Sequence, residues 1–218
     1  MNKDQTVELA SIRKEYSQAS LDKETADISP FKQFDKWMNE AVKAELTEPT
    51  AMVLSTADAI GKINQRTVLL KEFNESGFVF YTNYSSRKAL QISESNQVSI
   101  LFPWYTLERQ VAVTGVASKI SKAQSLKYFL SRPFGSQLGA WVSNQSKIIS
   151  SRSVLETKLA EMKRKFSEGK VPLPDDWGGY LIEPTSFEFW QGRQNRLHDR
   201  LLYNLSEDKK WNIERLAP

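Results

Sequence analysis

Gln65-Arg66-Thr67-Val68-Leu69-Leu70-Lys71-Glu72-Phe73-Asn74-Glu75-Ser76-Gly77-Phe78-Val79-Phe80-Tyr81-Thr82 decides the fold class. Two runs rich in β-branched and aromatic residues, 65–73 and 78–82, are separated by little more than Glu75-Ser76-Gly77. A connection this short cannot hold a crossover helix, so the two strands must be antiparallel. Working outward, Pro49 precedes a strand at 50–56, and Ala59-Ile60-Gly61-Lys62 supplies another turn. Further strands are expected at 98–102 and 108–120, and again at 179–182, 187–190, 197–205 and 211–215. Strands, then helices, then strands that rejoin the sheet predict a mainly β, α+β fold: an antiparallel barrel with helices packed against it.

The helices are marked by their ends. Ser29-Pro30 opens one as a cap followed by proline, with Phe34, Trp37, Met38, Ala41 and Val42 as its buried stripe. A short helix is expected within 85–94, and its Ser-Ser-Arg-Lys start places hydroxyls and cations where an anion can sit. Another runs from Ser121 to Arg132-Pro133, where proline disfavours continuation, and two more lie near 136–142 and 150–167. The organisation expected is a mobile N-terminal segment at 1–29 and one domain at 30–218, including a helical part at 121–170 and C-terminal strands at 179–218.

Composition narrows the chemistry. The 218 residues contain no cysteine and one histidine, which excludes disulfides, thiol catalysis and cysteine metal sites, and no metal site is expected. No stretch approaches the roughly 20 apolar residues that a membrane helix needs, so a cytoplasmic protein without membrane contact is expected. The net charge of +4 is mild for a nucleic-acid binder, and the densest basic run, Lys163-Arg164-Lys165, lies on what reads as an ordinary surface helix. Neither a glycine-rich dinucleotide fingerprint nor a phosphate loop ending in Gly-Lys-Ser/Thr is present, so any phosphate must be held mainly by side chains.

Suitable side chains recur. Arg66 and Lys71 bracket one strand, Arg87-Lys88 follows Tyr81-Thr82, and Arg109-Gln110 opens the long strand. Phe187-Glu188-Phe189-Trp190-Gln191-Gly192-Arg193-Gln194-Asn195-Arg196-Leu197-His198-Asp199-Arg200 sets three arginines and the single histidine after an aromatic run. If that stretch is extended, Arg196, His198 and Arg200 share one face and Leu197 and Leu201 the other. The guanidinium forks suit bidentate phosphate contacts, and with Arg132 and Ser136 they suggest two phosphorylated ligands. His198 and Asp199 point apart on a strand, which argues against a hydrolytic triad, and an organic cofactor is the economical source of reactivity.

Several of these stretches, in order, resemble the pyridoxamine/pyridoxine 5′-phosphate oxidase family: Gln65 to Lys71, Phe80-Tyr81-Thr82-Asn83, Ser86-Arg87-Lys88, Leu107 to Val111, Tyr128 to Pro133, Ser136 to Trp141, Trp177 to Tyr180, and the segment through Arg200. The resemblance spans about Arg13 to Pro218 and implies an FMN-binding split β-barrel with a packed helical subdomain, as a homodimer with FMN at the interface. It implies FMN contacts from Arg66, Thr67, Val68, Leu69, Leu70, Lys71, Tyr81, Thr82, Arg87, Lys88, Gln110, Gln145, Ser146, Trp190 and Arg200. Substrate contacts fall on Lys71, Tyr128, Arg132, Ser136, Arg196, Leu197 and His198, with Arg13, Lys14, Glu15 and Tyr16 as a covering segment. Arg196 and His198 are the implied catalytic pair. The implied reaction oxidises pyridoxamine or pyridoxine 5′-phosphate to pyridoxal 5′-phosphate, with hydride passing from C4′ to flavin N5 and O2 accepting the electrons as H2O2. Three alternatives stay open: a nicotinamide-using flavin reductase, a non-catalytic carrier of FMN or pyridoxal phosphate, and an RNA-binding barrel using the same arginines and aromatics.

Overall fold

The structure, a computed structural model, describes residues 15–167 and 169–218. Arg13 and Lys14 lie outside the described residues.

Nine strands form one antiparallel sheet in the order β2-β1-β5-β6-β7-β4-β3, with β8 pairing β7 and β9 pairing β8. They are β1 (Ala51–Ala57), β2 (Ile63–Leu69), β3 (Glu72–Asn74), β4 (Gly77–Asn83), β5 (Gln97–Trp104), β6 (Arg109–Lys119), β7 (Trp177–Gln191), β8 (Asp199–Leu205) and β9 (Trp211–Leu216). Five α-helices accompany it: α1 (Pro30–Lys43), α2 (Arg87–Glu94), α3 (Lys122–Ser131), α4 (Phe134–Val142) and α5 (Arg152–Lys165).

Strand β7 organises this arrangement. Along one edge it pairs with β6 from Gln191 back to Tyr180, and along the other with β4 at residues 177–182 and β8 at residues 186–191. The change of partner falls at Pro184, whose missing N–H suits a break in a ladder. Opposite it the β6 register shifts at Thr114/Gly115, and a Cβ on Gly115 would lie 2.2 Å from the Glu183 carbonyl oxygen. A bulge built on glycine therefore lets the strand bend without closing the sheet.

The sequence divides this strand in two because 183–186 are polar or proline. The ladder with β6 continues through them, so β7 is continuous. In the opposite sense, the single run expected at 65–73 is interrupted at Leu70-Lys71, whose amides bond to the Thr50 and Val79 carbonyls as the chain leaves β2, paired with β1, for β3, paired with β4.

Helix α1 covers the sheet with Phe34, Trp37, Met38 and Ala41, as its spacing predicts, whereas Val42 is exposed on the far flank. Phe34 is fully buried, with the rings of Phe73, Phe78 and Phe102 at 5.0, 5.0 and 4.9 Å between centroids. A second, smaller apolar cluster of Phe129, Leu138, Val171 and Trp177 ties α3, α4 and the start of β7 together, and Leu159, Met162 and Phe166 pack on it from α5 and its end.

Residues 15–29 have no helix or strand but are tied to the barrel. Glu108 Oε2 accepts the Ser17 and Gln18 amides, Asp199 accepts the Leu21 amide, and the Tyr203 hydroxyl donates to the Asp27 carbonyl.

Phe34→Ala is expected to destabilise the fold by about 3–5 kcal/mol through the cavity left among the rings of Phe73, Phe78 and Phe102. Chemical denaturation monitored by tryptophan fluorescence measures it, and a loss below about 1 kcal/mol would contradict this account of the core.

Candidate functional site

A cleft of about 420 Å³ opens between β2, β4, the N-terminus of α2 and the helices α3 and α4. Its walls include Thr67, Val68, Leu69, Lys71, Tyr81, Thr82, Lys88, Tyr128, Arg132, Ser136 and Gln145, and none of the described residues that line it is acidic. Eleven sequence-predicted positions thus meet in one hollow.

Local structure explains the meeting. Tyr128, Arg132 and Ser136 are spaced by four, yet Pro133 breaks the helix between them, so α3 presents Tyr128, the joint presents Arg132 and the first turn of α4 presents Ser136. Ser86 caps α2 without a side-chain hydrogen bond to the helix, leaving its first amides free beside Arg87 and Lys88.

Lys88 is buried, and its ammonium donates to Thr82 Oγ1 at 3.1 Å, Gln145 Oε1 at 2.9 Å and Ser86 Oγ at 3.4 Å. All three acceptors are neutral. Burial, and after it the charge of Arg66, pushes the Lys88 ammonium down to about 8. Arg66 is likewise lowered, by burial and by the nearby charge of Arg87. Among the described residues no carboxylate pairs with Arg66, Lys71, Arg87, Lys88 or Arg132.

Arg132 lies over the Trp177 ring at 4.8 Å, and its buried Nη1 has no hydrogen-bond partner among the described residues. A buried guanidinium N–H left unpaired is costly, and an anionic oxygen entering the cleft would satisfy it. Tyr81 and Tyr128 stack with centroids 3.9 Å apart, and Trp177 stacks on Tyr81 at 5.4 Å. Burial, with Glu72 adding to it, pushes the Tyr81 hydroxyl up to about 12, so it stays protonated as a donor. Trp177 carries this wall but is not among the sequence-predicted site residues. Its signal was the Trp-Gly-Gly-Tyr run, in which a Cβ on Gly179 would lie 2.9 Å from the Tyr81 ring.

The remaining predicted residues are elsewhere. Leu70 is buried in the core, and Ser146 is exposed at positive φ beyond Gln145. Gln110, Trp190 and Arg200 face one another across β6, β7 and β8 in register. Tyr16 packs edge-on against Trp190 and His198, with centroids at 5.8 and 5.7 Å, and Glu15 precedes it as an exposed residue. This second hollow, about 640 Å³, is lined by Tyr16, Gln110 and Trp190 among others.

The expected extended run at Arg196 is not formed. Gln194–Arg196 is a 3-10 turn in which Asn195 and Arg196 adopt φ of 55° and 61°, and β8 begins only at Asp199. Arg196, His198 and Arg200 therefore do not alternate on one strand face, and Leu197 is exposed while Leu201 is buried. The turn is closed by the Arg193 amide donating to His198 Nδ1 at 3.1 Å. Arg200 is ion-paired in the chain, its Nε and Nη2 meeting both Glu188 oxygens at 2.8 and 3.1 Å. Arg109 is structural: it pairs with Glu40, bonds Gln191 and lies over Trp37.

The two groups are far apart in one chain. The cleft lies beside Gly179 and the Trp190 row near the other end of β7. That separation is roughly 35 Å along the strand at about 3.3 Å per residue.

These features define a class: an antiparallel half-barrel with an unneutralised cationic cleft and a distant aromatic-histidine surface, suited to phosphorylated, flat ligands. Residues 38–166 match the family model described as pyridoxamine 5′-phosphate oxidase, and residues 177–218 the pyridoxine 5′-phosphate oxidase C-terminal dimerisation region. The chain belongs to the pyridoxamine 5′-phosphate oxidase family. It is 57% identical over 214 residues to the pyridoxine/pyridoxamine 5′-phosphate oxidase of Crocosphaera subtropica, covering 97% of this chain and 100% of the relative. Identity to the enzyme of that name from Aliarcobacter butzleri is also 57%, over 212 residues with the same coverage. Among solved structures, PhzG from Burkholderia lata, in complex with tetrahydrophenazine-1-carboxylic acid, superposes with a TM-score of 0.85 at 27% identity, over 89% of this chain and 95% of that one. A pyridoxamine 5′-phosphate oxidase-related, FMN binding protein from Nostoc punctiforme shares the fold, with a TM-score of 0.71 at 17% identity over 88% of this chain and 100% of that one.

Because Lys88 is charged below about pH 8 and neutral above it, affinity for inorganic phosphate should fall as pH rises through that value. Calorimetric titration between about pH 7.5 and 9.5 reads this, and Lys88→Met should remove the step. Affinity that is flat over this range in the unsubstituted protein contradicts the assignment.

Proposed function

We propose that the protein is an FMN-dependent oxidase that converts pyridoxamine or pyridoxine 5′-phosphate to pyridoxal 5′-phosphate, with O2 as electron acceptor. This is a step of vitamin B6 synthesis and salvage, and we place it in the cytoplasm. The family membership and the full-length relatives of that name support the activity. The observation that carries the site assignment is the cleft whose cations have no acidic partner, and whose buried Arg132 Nη1 has no hydrogen-bond partner, among the described residues.

Two anionic ends are provided for. Arg66, Arg87 and Lys88, gathered at the N-terminus of α2, would hold the phosphate of FMN, with Thr67, Val68, Leu69, Tyr81, Thr82 and Gln145 along its length. Lys71, Tyr128, Arg132 and Ser136 would hold the substrate phosphate. FMN, when bound, supplies the acceptor for a hydride and passes electrons to O2. The protein contributes alignment, which converts an encounter of two molecules into a reaction within one complex.

Arg196, Leu197 and His198 would meet the substrate ring, with Tyr16 covering it, and Gln110, Trp190 and Arg200 would complete the FMN site. The Arg193 amide on Nδ1 leaves His198 Nε2 as the imidazole's outward hydrogen-bonding atom. Because roughly 35 Å of strand separates these residues from the cleft, one chain does not close the site on itself. We therefore propose a homodimer in which the cleft of one protomer receives the Trp190–His198 surface of its partner, with FMN at the interface. The matched dimerisation region at residues 177–218 carries that surface.

Anaerobic mixing of the yellow protein with pyridoxamine phosphate should bleach flavin absorbance without a nicotinamide, and air should restore it with release of peroxide. No bleaching would refute the activity.

Arg196→Ala should lower turnover by at least tenfold while FMN is retained, whereas Arg87→Ala should weaken FMN first. Mixing and re-dimerising inactive Arg132→Ala and Arg196→Ala chains should restore about a quarter of native activity, since half the dimers are mixed and each mixed dimer has one intact site. No recovery, with mixed dimers shown to form, would place both residues in the same chain's site.

A further inference from the structure

Behind Arg66 runs a buried line of hydrogen bonds. Arg66 Nη1 donates to Thr56 Oγ1 at 2.7 Å and to the Leu54 carbonyl at 3.1 Å. The Thr56 hydroxyl donates to Gln91 Oε1 at 2.6 Å. Gln91 Nε2 then donates to the Lys62 carbonyl at 3.1 Å and to Asn64 Oδ1 at 3.0 Å. Thr56 and Gln91 are 2% and 5% exposed, so water does not substitute for these partners.

The line has a direction. Both amide hydrogens of Gln91 are engaged by carbonyl oxygens, which turns its own oxygen toward Thr56. The single hydroxyl proton of Thr56 goes to that oxygen, leaving its lone pairs for Arg66. Nε and Nη2 of Arg66 have no partner among the described residues and stay available to a ligand. Every acceptor in the line is neutral, so the guanidinium is oriented while its charge is left intact.

The placement couples this line to the rest of the cationic group. Gln91 lies on α2 four residues after Arg87, so the two share a helix face, and Lys88 starts the same helix. One short helix therefore carries two of the cations and the clamp for the third.

We propose that Thr56 and Gln91 are positioning residues that fix Arg66 for the phosphate of FMN, and that their neutrality reserves its charge for that phosphate. The proposal rests on the assignment of Arg66, Arg87 and Lys88 to that phosphate.

The test compares FMN with riboflavin, which lacks the phosphate, by quenching of flavin fluorescence on titration into the full-length, cofactor-stripped protein. Thr56→Val should raise the Kd for FMN roughly tenfold, as expected for losing a hydrogen bond to a charged group, and leave the Kd for riboflavin within about twofold. Thr56→Ser, which keeps the hydroxyl, should restore FMN binding. Gln91→Glu should weaken FMN and spare riboflavin, because a carboxylate then shares the charge of Arg66; it carries the same comparison should Thr56→Val not fold.

Equal weakening of both flavins by these variants, or of neither, while Arg87→Ala weakens FMN alone, overturns the clamp and leaves the phosphate assignment standing. If Arg87→Ala also fails to separate the two flavins, the phosphate assignment falls, and the clamp with it.

Discussion

Strand β7 hydrogen-bonds to three others, β6 along one edge and β4 and then β8 along the other. Backbone groups on a buried strand must all be paired, so a strand that changes partner midway needs a place where the ladder can be broken. Pro184 and the bulge at Gly115 provide it. From this follows the distribution of the chemistry. The half of β7 beside β4 supports the cationic cleft, and the half beside β8 supports the row of Gln110, Trp190 and Arg200. The same strand both unites the fold and keeps its two chemical surfaces apart.

Seven of the arginines fall into two groups. Arg109, Arg193, Arg200 and Arg215 are each paired with a carboxylate and fasten elements together: Glu40 to β6, Asp199 to the 193–198 turn, Glu188 to β8, and Asp22 of the N-terminal segment to β9. Arg66, Arg87 and Arg132 have no such partner among the described residues. Structural arginines on a partly exposed sheet gain from an ion pair, whereas a cation kept for a ligand must be held by something that does not cancel it. Thr56 and the Leu54 carbonyl do this for Arg66, and Thr82, Ser86 and Gln145 do it for Lys88, with hydroxyl and amide oxygens.

Most elements were legible because their signals are local. Ser29-Pro30 and Ser121 mark helix starts, Pro133 a stop, and Glu75-Ser76-Gly77 a hairpin. Of the eleven cleft residues, Lys71, Tyr81, Thr82, Lys88, Tyr128, Arg132 and Ser136 were legible as cations, hydroxyls and tyrosines near strand ends, whereas Thr67, Val68, Leu69 and Gln145 were reached only through the family resemblance. What escaped depends on partners remote in sequence. The polar stretch 183–186 reads as a loop, yet its backbone is held by β6. The run from Arg196 reads as a strand, but up to His198 the bond from the Arg193 amide and two left-handed residues make a turn, and the strand begins only at Asp199. Thr56 and Gln91 are unremarkable in the chain and become a unit only when α2 folds over β1. The separation of the two surfaces along β7 likewise emerges only from the register.

The neutral cradle around the cations carries a consequence for the fold itself. Like charges at Arg66, Arg87 and Lys88 repel one another when no carboxylate among the described residues pairs with them, and the burial of Lys88 and part-burial of Arg66 weaken screening by water. Any dianion that settles there relieves this tension and favours the native state over the unfolded one by mass action. The resistance of the protein to heat and proteolysis is thus tied to the supply of its own guest, and the short helix α2 is where that dependence is anchored.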